Sequence, residues 1–150
     1  MIKRSAFTLI EMLLVIALFA LMSAITIPFY QSMQISTQRE TVKNELIANL
    51  HRAKLKAIAS IDDESWGINI GVDNQITMFK GSNFEARDTV YDETINVPAN
   101  ITVGKEANNL SQIIFNKFTG LPSASGIITL KDVTGQSQNI TITQQGTVDY

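Results

Sequence analysis

Cysteine is absent from the 150 residues, and histidine and tryptophan occur once each. Without cysteine, neither a disulfide nor a thiolate metal site can staple the fold, which must rest on its own core whatever compartment it occupies. The lone histidine, His51, cannot build a histidine-rich metal site. It is also the only imidazole open to a Ser–His–Asp arrangement, and it stands among cations in "HRAKLK". No nucleophile elbow, phosphate-binding glycine loop or metal-ligand cluster is written into the chain. Neither catalysis nor a resident cofactor is expected.

An excess of positive charge is missing too. Twelve basic and fourteen acidic residues give −2, and that sum hides a split. Residues 31–61 carry five bases against two acids, +3, while residues 62–150 carry five bases against eleven acids, −6. An acidic C-terminal block does not attract a polyanion, so no nucleic-acid partner is expected. Glycine and proline are absent from 31–61, where Val42, Leu46, Leu50, Ala53, Ala57 and Ile61 recur at helical steps. Ile47 and Ile58 widen this single apolar stripe, which suits a helix lying on a core.

What is present in abundance is grease at the start: MIKRSAFTLIEMLLVIALFALMSAITIPFY. Between positions 7 and 27 the sole ionisable side chain is Glu11. As a helix rising about 1.5 Å per residue, 7–28 would reach about 33 Å, enough to cross a hydrocarbon core. Lys3 and Arg4 precede it, which keeps the short start cytoplasmic and the bulk outside. For a cleaved secretory signal the run is too long, holds an acid and ends in no A-x-A site. A plain anchor leaves Glu11 unexplained, because an acid at the centre of a membrane helix costs about 2.5–3.5 kcal/mol on insertion scales, less near an end. A cut between Ala6 and Phe7 would explain it. The cut creates an α-amine at Phe7, four residues before Glu11 on the same helical face, and removes Lys3 and Arg4. A carboxylate meeting a neighbour's amine in low dielectric locks staggered helices directionally.

The stretch SAFTLIEMLLVIALFALMSAITIPFY resembles the class III signal and first helix of type IV pilins and type II secretion pseudopilins. The resemblance implies that a prepilin peptidase cuts between Ala6 and Phe7, that Phe7 is N-methylated, and that Glu11 serves filament assembly. It departs at one position: the family usually has Gly before the cut, and here Ala6 must fit that subsite. Pro28 falls where many members have a helix-breaking proline. By its own chemistry Pro28 lacks an amide donor and crowds the carbonyl of residue 24, so it kinks a helix. The kink is either harmless or, as the resemblance implies, a point where the helix loosens inside a filament.

Beyond residue 61 the pattern turns to strands. "DDES" reads as an acidic turn rather than a calcium loop, since no D-x-[DN]-x-[DN]-G follows. "WGINIGVDNQITMFK" reads as a hairpin turning at Asp73-Asn74. "TVYDETINVPANITVG" offers short strands broken at Pro98. Further strands are expected over 112–116, 127–131, 139–143 and near 147–148. "IIFNKFTG", "GIITL" and "ITITQQGTV" resemble the head of H-type minor pseudopilins and FimT-like minor pilins. Some FimT-like members bind DNA through arginines after the last glycine. Here Gly146 is followed by Thr147, Val148, Asp149 and Tyr150, so that activity is not carried over. The basic run at 51–56 is a solvated helix end, a contact for the acidic head of another subunit or a nucleic-acid contact, in that order of preference.

The expected fold is α+β and pilin-like: a long N-terminal helix, membrane-spanning in its first half and amphipathic in its second, packed on a C-terminal antiparallel β-sheet head. Its divisions are a leader at 1–6, a membrane and filament-core helix at 7–30, the amphipathic continuation at 31–61 and a β-rich head at 62–150. The expected function is structural, as a minor pilin or pseudopilin of a type IV pilus or type II secretion pseudopilus. The alternative is a filament-tip binding, adhesion or DNA-uptake module. Expected partners are prepilin peptidase, other subunits, an inner-membrane assembly platform and membrane lipid. The expected location is a single pass through the inner membrane, then a periplasmic or extracellular filament.

Overall fold

The computed structural model describes residues 7–71, 73–104 and 110–150, without the side chains of 24–29. The leader expected at 1–6, with Ala6, lies outside the described residues. Among the described residues the architecture is α+β: one α-helix, α1 (Leu9–Ile58), two short 3₁₀ turns (Ile61–Asp63 and Thr89–Tyr91) and two four-stranded antiparallel sheets. The chain divides into two compact units, residues 1–37 and 38–150. The bounds of α1 enclose Pro28.

In the second unit the strands are β1 (Trp66–Ile70), β2 (Gln75–Lys80), β3 (Glu93–Asn96), β4 (Ile101–Val103), β5 (Gln112–Phe115), β6 (Gly126–Asp132), β7 (Ser137–Ile142) and β8 (Val148–Asp149). They pair in the orders β3-β2-β1-β5 and β4-β6-β7-β8. The stripe of α1 forms one buried cluster with the inward faces of both sheets. Val42, Leu46, Leu50, Ala53 and Ala57 meet Ile68, Ile113 and Phe115 from the first sheet, and Ile101, Leu130 and Ile140 from the second. Alanine at 53 and 57 brings the backbone of the helix close to the strands. Each fully buried leucine or isoleucine is worth about 1.5–3 kcal/mol.

A head of two sheets, rather than one, corrects the simpler expectation. Proline and asparagine supply the reason. After β3, Pro98 ends the pairing on the edge of the first sheet, and β4 opens on the edge of the second. Asn74 fastens this joint from the β1–β2 connection, its Nδ2 donating to Ile101 O at 2.6 Å. Across that connection the Gly71 N–H closes onto Gln75 O at 2.8 Å. Asn74 takes the left-handed conformation, φ 64°, as the last residue of such a loop commonly does.

The helix ends at Ile58, three residues before the expected 61. Ser60 is left-handed, φ 50°, and its N–H closes back on Ala57 O at 3.1 Å. The same carbonyl accepts the N–H of Phe118 at 3.0 Å, so a distant loop completes the cap. Two residues on, Gly120 has φ +62°, and a Cβ there would lie 2.5 Å from Ile58 Cγ1. On the outer face of the first sheet, the Phe79 ring occupies the space beside Gly67, 2.7 Å from where its Cβ would sit. Phe84, from the loop after β2, packs edge-on against Phe79 with ring centres 5.3 Å apart.

Candidate functional site

Thr8 precedes the first helical residue, and its side-chain oxygen accepts the Glu11 N–H at 3.3 Å. Its carbonyl accepts the N–H of Met12 at 3.2 Å, the first turn of α1. Thr8 is therefore the N-cap and Glu11 the third helical residue, the T-x-x-E spacing of a capping box. This role of Thr8 was missed in reading the chain, although the spacing is plain in "TLIE". The arrangement also corrects one step of the sequence argument. Phe7 lies outside the helix, so it does not share a helical face with Glu11. A terminal amine at Phe7 would be carried on the residue before the cap. The Glu11 carboxyl sits in the first turn, where the helix dipole favours an anion.

Around that acid the helix is apolar on every side. Leu9, Ile10, Leu13, Leu14, Ile16 and Phe19 are all more than half exposed, from 58% to 79%. Such a surface exceeds what a chain normally leaves to water. Among the described residues no helix is long and apolar enough to cross a membrane. The span expected at 7–28 runs past Ser23, beyond which the side chains of 24–29 are not described.

In the second unit the basic run at 51–56 is engaged by its own head. Arg52 Nη2 lies 2.8 Å and Lys56 Nζ 3.3 Å from Glu93. Lys56 also sits over the Trp66 ring at 3.9 Å. Lys54 Nζ donates to the carbonyls of Gln145 and Gly146 at 3.1 and 2.9 Å. His51 is exposed. Where α1 enters this unit, Arg39 pairs with the buried Asp132. Asn100 donates to Gln38 at 2.6 Å and Gln138 to Glu40 at 3.2 Å, completing a polar collar.

Burial pushes the Asp132 carboxyl up, but hydrogen bonds from Thr134 and Gln136 and the charge of Arg39 outweigh it and hold it below its ordinary value. Glu93 behaves alike, with burial opposed and overcome by Arg52 and Lys56. The Glu40 carboxyl is lowered by its hydrogen bond with Lys43, helped by Gln138.

Residues 1–27 match the family model of the prokaryotic N-terminal methylation motif. The chain thus carries the prepilin signal of type IV pilins and pseudopilins. That motif marks a type IV pilin-like protein, processed by prepilin peptidase and assembled with other pilins. Compared with curated proteins and with solved structures, the chain finds no match.

Proposed function

We propose that the protein is a minor structural subunit of a type IV pilus or type II secretion pseudopilus. It is inserted across the inner membrane by 7–30, cut between Ala6 and Phe7, N-methylated on Phe7 and drawn into a filament. The observation that carries this reading is the methylation motif on a helix that is apolar all round, with one acid in its first turn. Glu11 is the assembly residue in this proposal. Its carboxylate makes no ion pair among the described residues and meets the Phe7 amine of the next subunit. Pro28 is the point where the helix loosens within the filament. The head is the exposed surface; its carboxylates already pair with Arg39, Arg52 and Lys56 of α1 and residues 62–150 carry a net −6, which supports a structural role over DNA uptake.

Intact-protein mass spectrometry tests the processing. A mature mass lacking residues 1–6 and carrying one methyl is expected, and a retained leader would count against the reading. Glu11→Leu should be cut normally yet be excluded from sheared filaments. If that variant joins filaments as readily as the parent, Glu11 is not the assembly residue.

A further inference from the structure

The register of the first sheet aligns four uncharged polar residues in one row. Gln112 on β5 pairs with Asn69 on β1, Asn69 with Thr77 on β2, and Thr77 with Thr94 on β3. Directly paired residues project to the same face, here the face away from the helix. An outward polar row is ordinary when it faces open solvent. In this row Thr77 alone is buried, 8% exposed, its hydroxyl 3.4 Å from that of the exposed Thr94, while Asn69 and Gln112 are half-buried. The loop after β2 folds beside the row and forms one wall of an open recess of about 580 Å³, within the range of about 300–1,000 Å³ typical of small-molecule sites.

The loop wall is held rigidly. Arg87 Nε donates to both carboxylate oxygens of Asp92, at 3.0 and 2.8 Å, and its Nη1 donates to Phe84 O at 2.8 Å. Its guanidinium lies 3.7 Å from the centre of the Phe84 ring. The charges of this wall therefore cancel. Asp73 and Ser111 also line the recess. Within the recess, the side chains of Asn69, Gln75 and Ser111 have no hydrogen-bond partner among the described residues. Amides and hydroxyls both donate and accept, and so does every hydroxyl of a sugar ring.

We propose that this recess binds a neutral sugar unit of a carbohydrate chain. An apolar ligand would leave the amides and hydroxyls desolvated and unpaired. An anion would meet the open carboxylate of Asp73 in a head of net charge −6, with the one lining cation already neutralised. A metal ion would find one unengaged carboxylate there. A hydroxyl-rich neutral ligand satisfies the floor without a charge mismatch. The proposal does not depend on the assembly reading, since binding is measured on the isolated full chain.

The test uses the full-length chain in a detergent without a sugar headgroup, because maltoside or glucoside heads would compete. The probe is an array of neutral oligosaccharides with their sialylated counterparts, followed by titration of the best neutral one. Binding to a neutral oligosaccharide is expected, weakened at least tenfold by Asn69→Ala and by the near-isosteric Thr77→Val. Because Thr77 is buried, Gln75→Ala at an exposed position provides a second variant, and unchanged Trp66 fluorescence certifies the fold. The sialylated counterparts should bind more weakly. Absence of neutral binding at millimolar sugar, equal or stronger binding of the sialylated forms, or parental affinity in the folded variants would each overturn the proposal.

Discussion

Residues 9–22 and 42–57 of α1 are both rich in leucine, isoleucine and alanine, yet Leu14 is 65% exposed and Leu50 wholly buried. Charge already separates the two stretches, with Glu11 alone in the first and five charged residues in the second, and spacing shows what that does. In the first, apolar residues follow one another around the whole circumference; in the second they recur every three or four positions between Lys43, Glu45, Arg52 and Lys54. A helix that is greasy all round needs an apolar surrounding, while one with a single stripe needs only one partner face. Within its own chain the second stretch has that face.

Breaking the comparison should give its largest effect at the stripe. Leu50→Ala should destabilise the second unit by about 2–5 kcal/mol through lost burial and a cavity. Leu14→Ala should leave it within about 0.5 kcal/mol of the parent. Urea unfolding followed by Trp66 fluorescence reads both, and equal shifts in midpoint would erase the distinction. A smaller loss, about 2 kcal/mol, is expected for Asp132→Asn, which leaves Arg39 without its buried counter-charge. The matching change at exposed Glu45 should have no measurable effect.

The smallest effect is a pH dependence. The folded-state values of Asp132 and Glu93 lie below their unfolded ones. Their contribution is thus complete above the unfolded values of about 4 and is lost as pH falls through the lowered folded values. Acid unfolding of the parent should steepen below about pH 4, and Asp132→Asn should flatten that limb. An unchanged limb in the variant would show that the collar does not couple to protons.

Much of this arrangement was readable in the chain. The stripe, the hairpin around residue 73, the break at Pro98 and the late strands follow from local periodicity and turn residues. The division into two sheets does not, because alternation fixes which face of a strand is buried but not which strand lies beside it. That choice is made at long range, by Asn74 reaching Ile101 O. The helix end was misjudged because serine at 60 carries no strong left-handed signal; the conformation is held by the Ala57 carbonyl, shared with Phe118. The Thr8 cap is legible in the T-x-x-E spacing, which serves the orphan amides of the first turn as well as the charge of Glu11. The recess was not legible, since it arises from register across three strand pairs.

The far end of α1 is fastened to the head by the Phe118 amide on Ala57 O and by the Lys54 ammonium on the carbonyls of Gln145 and Gly146. These attachments come from two separate stretches of the chain. Losing either attachment alone therefore leaves the other still tying the end of the helix to the strands' loops.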